Sequence, residues 1–204
     1  MTIELSKSYA PETSESEIRK KWDDAAAFHT TPDAPGKPYC IVIPPPNVTA
    51  PLHLGHAFNN TLQDILSRYH RMRGYNVLWM PGTDHAGIAT QTVVEKRLLQ
   101  QGIKRRELGR DAFVEKVQAW KDEYEATIIE QLQAMGCSCD WDRVRFTMDP
   151  MCGKAVREAF FRLFKDGLIY RGKRLVNWDP VTLTALADDE VEMKDVQGHM
   201  WYLR

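Results

Sequence analysis

Short apolar runs and helical periodicities alternate along the first half of the chain. Residues 39–43 and 76–80 are apolar runs with β-branched members, and they predict two buried strands. Between them, apolar residues recur at steps of three and four and predict a helix with one buried face: Phe58, Leu62, Ile65, Leu66, Tyr69 and Met72. Gly74 is placed to end this helix. The order of strand, helix and strand predicts an α/β fold that begins a doubly wound parallel sheet.

Four further segments carry helical patterns, at residues 14–27, 86–101, 113–132 and 150–166. The first opens on a capping box formed by Ser14 and Glu17. Gly102 and Gly136 are placed to end the second and the third. We expect the Trp, Tyr and Phe side chains of the third helix to pack in the core. Short β-like runs follow at residues 168–170, 175–178 and 200–203.

The loops after the two predicted strands, residues 44–56 and 81–85, carry the most distinctive residues. Parallel strands that are joined by a crossover helix end at the same edge of a sheet, so we expect these loops to lie side by side. Ligands of open α/β sheets bind at that edge. The sequence therefore predicts a ligand site built from both loops.

The composition is that of an ordinary globular domain. The chain has 204 residues, 43% of them apolar and 27% charged, with a formal net charge of -1. This charge argues against a broadly basic surface for nucleic acid. No apolar run reaches the ~20 residues that span a bilayer, and the N-terminus lacks a signal-peptide core, so we expect a cytoplasmic protein with no membrane partner.

The four cysteines contain no Cys-x-x-Cys pair, and reduced thiols are the favoured interpretation. A zinc site at Cys137 and Cys139 is a weaker alternative, because one-residue spacing suits chelation poorly and no second pair exists. We therefore predict no protein-bound metal.

His53 and His56 lie three residues apart at the predicted start of a helix, on one face. The unpaired N–H groups and partial positive charge of a helix N-terminus attract phosphate, and two imidazoles there can donate to phosphoryl oxygens in a transition state. Gly55 lets a ring or sugar approach the backbone. A bare His-x-Gly-His is more often a pair of surface histidines, but its place after Pro-Pro-Pro-Asn at a strand end favours a site.

Asp84 ends the second loop, where its carboxylate suits a cationic group such as an α-ammonium. It could also cap the following helix, and both roles can coexist. A zinc site that joins His53 and His56 to Asp84 and His85 is a less favoured alternative. Asn47 adds an amide that can fix a carboxylate or a ribose.

Four motifs carry a family resemblance: Pro-Pro-Pro-Asn-Val-Thr at 44–49, His-Leu-Gly-His at 53–56, Pro-Gly-Thr-Asp-His-Ala-Gly-Ile-Ala-Thr-Gln at 81–91, and Leu-Val-Asn-Trp-Asp-Pro at 175–180. Together they resemble the valyl-tRNA synthetases, a family of class I aminoacyl-tRNA synthetases. The quartet matches the His-Ile-Gly-His motif of class I. Isoleucyl, leucyl and methionyl enzymes share the quartet but usually have a different proline turn, so the resemblance indicates valine. It covers residue 8 to the end.

The resemblance implies a role for each residue of the ATP site. His53 and His56 would be catalytic, stabilising the α-phosphate region of ATP as the valine carboxylate attacks in line. Gly55 would let the adenosine lie close to the helix, and Thr49 would belong to the same ATP site. ATP, with Mg²⁺, is implied as a substrate.

The amino-acid site is implied in the same way. Pro44 and Asp84 would bind the valine ammonium, Pro45 would line the side-chain pocket, and Asn47 would help to place the amino acid and the adenylate. One departure from the family is Ala50-Pro51, where a Gly usually follows the Val-Thr pair. Ala restricts positive φ and Pro removes an N–H, so ATP binding would weaken if either feature serves the ligand.

The resemblance implies the first half of a class I Rossmann-type catalytic domain with helical insertions, truncated where an inserted editing domain begins. We predict an N-terminal arm and helix at residues 1–38, the half-domain at 39–190, and the start of the editing domain at 191–204. The Lys-Met-Ser-Lys-Ser loop of the family is absent from this sequence. We therefore expect weak or no activity from this chain by itself.

The implied function is ATP-dependent activation of valine and its transfer to tRNA(Val), with a monomer implied by the full-length family. A first alternative is a non-catalytic fragment that binds adenylate or a partner. A second is another nucleotidyltransferase with the same histidine helix, such as a pantetheine-phosphate type enzyme. The second is disfavoured because its class does not call for residues 81–91 or 175–180.

Overall fold

The computed structural model describes residues 8–203. The chain forms two compact units, Met1–Arg157 and Glu158–Arg204. The helices are α1 Pro11–Asp24, α2 Leu54–Met72, α3 Gly87–Gln100, α4 Arg105–Leu108, α5 Arg110–Ala134 and α6 Pro150–Lys165. The strands are β1 Pro38–Val42, β2 Asn76–Met80, β3 Gly82–Thr83, β4 Arg145–Phe146, β5 Asn177–Asp179 and β6 Thr184–Leu186.

The strands of the first unit run parallel, as the sequence predicts. β1 pairs with β2 in a register that sets Val42 opposite Met80, and β3 pairs with β4. Only Pro81 separates β2 from β3, and hydrogen bonds leave this continuous segment on both sides: Ile43 N–H donates to Met80 O, and Arg145 N–H donates to Pro81 O. The spatial order is therefore β1, then β2 with β3, then β4. This mixed α/β arrangement with parallel pairs confirms the predicted fold class at that level and fits a partial Rossmann-like domain.

Two hydrophobic clusters lie beneath α5, and they confirm that its aromatic stripe is core. One centres on Ile43, Val48, Trp79, Ile128, Leu132, Cys137 and Cys139. The other joins α3 to α5 through Val94, Leu98, Phe113 and Trp120. The clusters share Tyr124, whose ring stacks on Trp120 at 4.2 Å between centroids. Helix α5 thus packs along both the strand ends and α3.

Helix α2 has the predicted bounds but presents the opposite face to the fold. The apolar residues that were expected to be buried are instead 47–82% exposed. They are Phe58, Leu62, Ile65, Leu66, Tyr69 and Met72. The inward face is polar: Arg71 donates to Ser138 Oγ and O, Asp64 accepts from Ser138 N–H at 2.9 Å, and Trp79 Nε1 donates to Gln63. The periodicity correctly predicted an amphipathic helix. The prediction of a buried apolar face was wrong, because no described element packs on it.

The ends of the chain bring two further corrections. Helix α1 begins at Pro11, with Ala10 as an N-cap that has no side-chain bond, so the predicted capping box at Ser14 lies inside the helix. Pro11 is suited to the first turn because its missing N–H would be unpaired there anyway. Within residues 158–203, β5 and β6 are the only strands and form an antiparallel pair, so the β-like runs at residues 168–170 and 200–203 are not strands.

The thiols of Cys137 and Cys139 are buried beside the strand ends. Burial raises the pKa of the Cys137 thiol to about 12 and raises that of Cys139 as well, so both are protonated at neutral pH. Helices long and apolar enough to cross a membrane do not occur within residues 8–203.

Candidate functional site

The two loops expected at the sheet edge do lie side by side. Asn47 and Asp84 form a parallel bridge, in which Asp84 N–H donates to Pro46 O at 2.8 Å and Val48 N–H donates to Asp84 O at 3.0 Å. The bridge extends the β1–β2 pairing beyond the strand ends, because Ile43 N–H already bonds Met80 O. The predicted adjacency of the loops is therefore confirmed.

The proline turn has one anchored and one open side. Pro46 is buried and Val48 is fully buried, whereas Pro44, Pro45 and Asn47 are exposed. The exposed members are thus accessible to a ligand. Prolines fix φ near −65°, so this open side needs little ordering before a ligand binds.

The segment that leads to the histidines is equally defined. Thr49 is half-buried, and Leu52 N–H donates to Gln131 Oε1 at 2.8 Å. Ala50 is not among the positive-φ residues of the described chain, so the turn does not need the left-handed backbone that a glycine would provide. The Ala50-Pro51 departure therefore introduces no backbone strain at Ala50.

His53 and His56 begin α2 as a reciprocal cap. His53 is the N-cap, and its Nδ1 accepts from Gly55 N–H at 3.1 Å. His56 Nδ1 accepts from His53 N–H at 3.2 Å, and the ring centroids are 3.9 Å apart. The two rings play the parts that Ser and Glu play in a standard capping box. The sequence placed both rings on one face but did not predict that they cap the helix.

The cap also determines which nitrogen of each neutral histidine ring carries the proton. Each Nδ1 uses its lone pair to accept a backbone N–H, so in the neutral rings the proton sits on Nε2. Partial burial, followed by the neighbouring His53, lowers the pKa of His56, which favours its neutral form. Both Nε2–H groups remain as donors beyond the helix N-terminus, where an anion is favoured.

Gly55 is required by the ring of His53. A Cβ at this position would lie 2.9 Å from His53 Cε1 and 3.0 Å from Nδ1, well inside normal contact distance. Any larger residue would therefore turn the His53 ring away from its bond to the N–H of residue 55. This local reason for a glycine adds to the ligand approach that the sequence suggested.

The carboxylate of Asp84 accepts a hydrogen bond from a hydroxyl and does not cap helix α3. Thr147 Oγ1 donates to Asp84 Oδ1 at 2.9 Å and accepts from His85 N–H at 3.0 Å, and His85 Nδ1 lies 2.7 Å from the same oxygen. The N-cap of α3 is Ala86, at a φ of 42°, so the capping role considered for Asp84 is wrong. Asp84 Oδ2 accepts no bond from the residues described and stays available for a cation.

Helix α5 positions all three segments of the site. Trp120 Nε1 donates to Val48 O at 3.0 Å, Glu125 Oε1 accepts from Thr83 Oγ1 at 2.8 Å, and Gln131 holds Leu52. The sequence assigned α5 to core packing alone. These polar contacts span more than 40 residues of chain, and no local pattern reveals them.

Neither of the zinc sites considered from the sequence brings three or more ligand atoms close together in the part of the chain that the structure describes. In the described chain, one group of three or more His, Cys, Asp or Glu residues has its ligand atoms within 4.8 Å of one another, and it is His29, Asp140 and Asp142. Arg143 Nε already lies 3.1 Å from buried Asp140 Oδ2, so that carboxylate has a cationic partner. His29 contacts both carboxylates and ties the segment after α1 to the strand ends.

Paired histidines therefore begin a helix beside a parallel-sheet edge that bears a carboxylate, in a mixed α/β unit. Residues 17–204 match the family described as tRNA synthetases class I (I, L, M and V), and the chain belongs to that family.

Relatives within the family are valine–tRNA ligases. The chain is 57% identical over 202 residues to the one from Geobacter sulfurreducens, a match that covers 98% of this chain and 23% of that protein. It is 52% identical over 204 residues to the one from Synechocystis sp., covering 100% of this chain and 22% of that protein. The chain therefore spans less than a quarter of the length of these relatives.

A solved structure shares the fold. It is the agnB2 LeuRS of Agrobacterium radiobacter K84, in a ternary complex with tRNA and LeuAMS. The TM-score is 0.74 at 26% identity, over 89% of this chain and 22% of that one.

Proposed function

We propose that this chain carries the N-terminal part of the amino-acid activation site of a valine–tRNA ligase. The observation that carries the proposal is the parallel bridge between Asn47 and Asp84, which joins the proline turn to the acidic loop at the sheet edge. The identities of 52% and 57% to valine–tRNA ligases support valine as the amino acid.

In the proposed reaction, a valine carboxylate oxygen attacks the α-phosphorus of ATP, supplied with Mg²⁺. The new P–O bond forms as the bond to the bridging oxygen of the β-phosphate breaks, and pyrophosphate leaves. His53 and His56 donate from Nε2 to the α-phosphate oxygens as charge develops there, aided by the N-terminus of α2. Gly55 and Thr49 complete the ATP side of the site.

The amino-acid side uses the exposed part of the proline turn. Asp84 Oδ2 and the carbonyl of Pro44 receive the valine ammonium, which has three donors to satisfy. Pro45 contributes apolar surface to the side chain, and Asn47 orients the carboxylate and then the adenylate. The hydroxyl of Thr147 supports this arrangement by fixing the carboxylate of Asp84.

The proposal extends to tRNA(Val) as the acceptor of the valyl group, to a cytoplasmic monomer, and to residues 191–204 as the start of an inserted editing domain. The match covers about 22% of the length of the Synechocystis relative, so the proposed transfer to tRNA(Val) also involves parts of such a protein that this chain does not match. A non-catalytic role, in which the chain binds adenylate or a partner, is the second candidate.

Calorimetry with a non-hydrolysable valyl-adenylate analogue tests the site directly. We expect the 204-residue chain to bind the analogue, and Asp84→Asn to weaken binding by about tenfold or more through loss of the charged ammonium partner. Asp142→Asn, a change of the same kind at an exposed position, should leave binding unchanged. Absence of binding by the unaltered chain would overturn the proposal.

Valine-dependent exchange of pyrophosphate into ATP separates the two candidates. Exchange above background, reduced roughly 10²–10³-fold in His53→Ala, supports the catalytic role. Binding of the analogue without exchange supports the binding role. Exchange that is unchanged in both His53→Ala and His56→Ala would remove the histidines from the mechanism.

A further inference from the structure

His85 follows Asp84 directly and contacts the same hydroxyl that bonds the Asp84 carboxylate. Its Nδ1 lies 2.7 Å from Thr147 Oγ1 and 3.4 Å from Asp84 Oδ1. The side chains of His85 and Asp84 are 43% and 32% exposed, so solvent reaches both. His85 has no role in the proposed reaction, although its ring is a neighbour of the proposed ammonium partner.

The single proton of the Thr147 hydroxyl determines the tautomer of His85. This hydroxyl has three polar neighbours: Asp84 Oδ1 at 2.9 Å, the His85 N–H at 3.0 Å and His85 Nδ1 at 2.7 Å. A carboxylate only accepts and a backbone N–H only donates, so the hydroxyl proton points at Asp84 and Nδ1 supplies the proton in its own contact. The neutral ring therefore carries its proton on Nδ1, which is the opposite tautomer to that of His53 and His56.

Hydrogen bonds to two other segments hold this arrangement in place. The carbonyl oxygen of His85 accepts from Oγ1 of Thr90, a buried residue of α3, at 2.7 Å. Thr147 N–H donates to the carbonyl oxygen of Thr83 in β3 at 3.1 Å. Groups that are fixed in this way can orient a binding residue without touching the ligand.

We propose that His85 is a positioning residue of the amino-acid site. Its Nδ1–H occupies an acceptor position of the Thr147 hydroxyl, so the hydroxyl proton stays directed at Asp84 Oδ1 and Oδ2 is left to receive the ammonium. The inference deepens the proposed function and rests on it, because it requires Asp84 to bind the amino group of valine. His85 acts through Thr147 and the carboxylate.

The same geometry makes the amino-acid site sensitive to the charge of His85. A second proton, on Nε2, keeps the Nδ1–H bond but places a positive charge beside Asp84, with 3.4 Å between Nδ1 and Oδ1. That charge competes with the ammonium for one carboxylate. Histidine is the side chain that ordinarily changes its charge between about pH 5 and 8, so affinity for an ammonium-bearing ligand should fall as the pH is lowered through this range.

The other charged groups around the ring are lysine, arginine and carboxylate side chains. Lys121 of α5 lies over the ring of Phe146, which meets the His85 ring edge-on at 6.4 Å between centroids. Lys121 is paired with Glu125 and Asp122. The α3 residues that line the same cavity as His85 are uncharged, and those of α4 and α5 include the cations Arg105, Arg106 and Arg110. Groups of these types ordinarily keep their charge at about pH 5.5 and above, whereas histidine does not.

Calorimetry at pH 7.5 with two adenylate analogues, with and without the amino group of valine, tests the positioning role. His85→Ala should weaken binding of the amino-bearing analogue about fivefold, whereas His85→Asn, whose amide N–H can replace Nδ1–H, should bind within about twofold of the unaltered chain. Neither variant should change binding of the other analogue. His199→Ala, at an exposed position of the second unit, is the matched control. Equal weakening of both analogues in His85→Ala would overturn the inference.

Two readouts distinguish positioning from a purely structural role. Between pH 7.5 and 5.5, affinity for the amino-bearing analogue should fall about three- to tenfold more in the unaltered chain than in His85→Asn, because Asn gains no charge. In ¹⁵N NMR at pH 7.5, the Nδ1–H tautomer should predominate for His85 and the Nε2–H tautomer for His53 and His56. Identical pH profiles in the two proteins, or a predominant Nε2–H tautomer at His85, would overturn the inference.

The same measurements separate this inference from the proposed function. Failure of the unaltered chain to bind the amino-bearing analogue would overturn the proposed function and, with it, the role of His85. Binding by the unaltered chain that neither His85→Ala nor the change of pH affects would count against the role of His85 alone and leave the proposed function standing.

Discussion

Replacement of Gly55 by Ala should weaken ATP binding while it changes the free energy of unfolding only slightly. The added Cβ would stand 2.9 Å from His53 Cε1, so the ring must rotate and its Nδ1 must release the N–H of residue 55, now 3.1 Å away. Loss of that bond costs about 0.5–1.5 kcal/mol. Replacing Gly by Ala within a helix stabilises the helix by roughly 1 kcal/mol. The free energy of unfolding should therefore change by less than about 1 kcal/mol.

Binding of ATP should respond far more strongly. In the proposed complex, a rotated His53 would no longer direct Nε2–H toward the phosphates of ATP. A hydrogen bond to a charged group is worth about 1.5–3 kcal/mol, so its loss should weaken binding roughly 10- to 100-fold. Urea unfolding and calorimetry with ATP measure the two quantities. Gly153→Ala is the matched control, since nothing lies within 4 Å of its added Cβ. Wild-type ATP affinity in Gly55→Ala, with unchanged imidazole NMR signals for His53, would refute the reasoning.

Three further predictions concern the groups that position the site. Gln131→Leu leaves Leu52 N–H without its acceptor and should cost about 1 kcal/mol of stability and weaken ATP binding in calorimetry, whereas Gln131→Glu keeps an acceptor and should not. Thr147→Val frees the Asp84 carboxylate and should weaken binding of the valyl-adenylate analogue several-fold, with Thr147→Ser as the control; equal loss in both would contradict the role of the hydroxyl. The pKa of His56 is lowered in the folded state, so its contribution to stability is present above about pH 6.5 and is lost as the pH falls toward the folded pKa. His56→Gln keeps a capping acceptor without titrating, so its unfolding free energy should fall less than that of the wild type between pH 7.5 and 5.5; identical slopes would contradict this.

The elements that the sequence predicted well are those with a local cause. The parallel βαβ unit, the end of α2 before Gly74 and the adjacency of the loops at residues 44–56 and 81–85 all follow from periodicity, helix-ending glycines and the rules of parallel sheets. The start of α1 was missed because Pro11 competes with Ser14 as a start signal, and proline at the first turn prevailed.

What could not be predicted depends on contacts between distant residues. Trp120 donates a hydrogen bond to Val48, 72 residues away, and Gln131 accepts one from Leu52, 79 residues away. Neither bond is reflected in the local pattern of apolar and polar residues. The face of α2 was misassigned for a related reason. An amphipathic pattern shows that a helix has an apolar side, but it does not show which surface, if any, that side meets.

The exposed apolar side of α2 has a mechanical consequence for the histidines at the helix start. The helix has 19 residues and is about 28 Å long, so a tilt of about 2° around its far end moves the first turn by roughly 1 Å. A displacement of that size can lower a reaction rate by about 10²-fold. A surface that packs against residues 58–72 and tilts α2 would therefore displace the proposed histidine site without contacting its ligands.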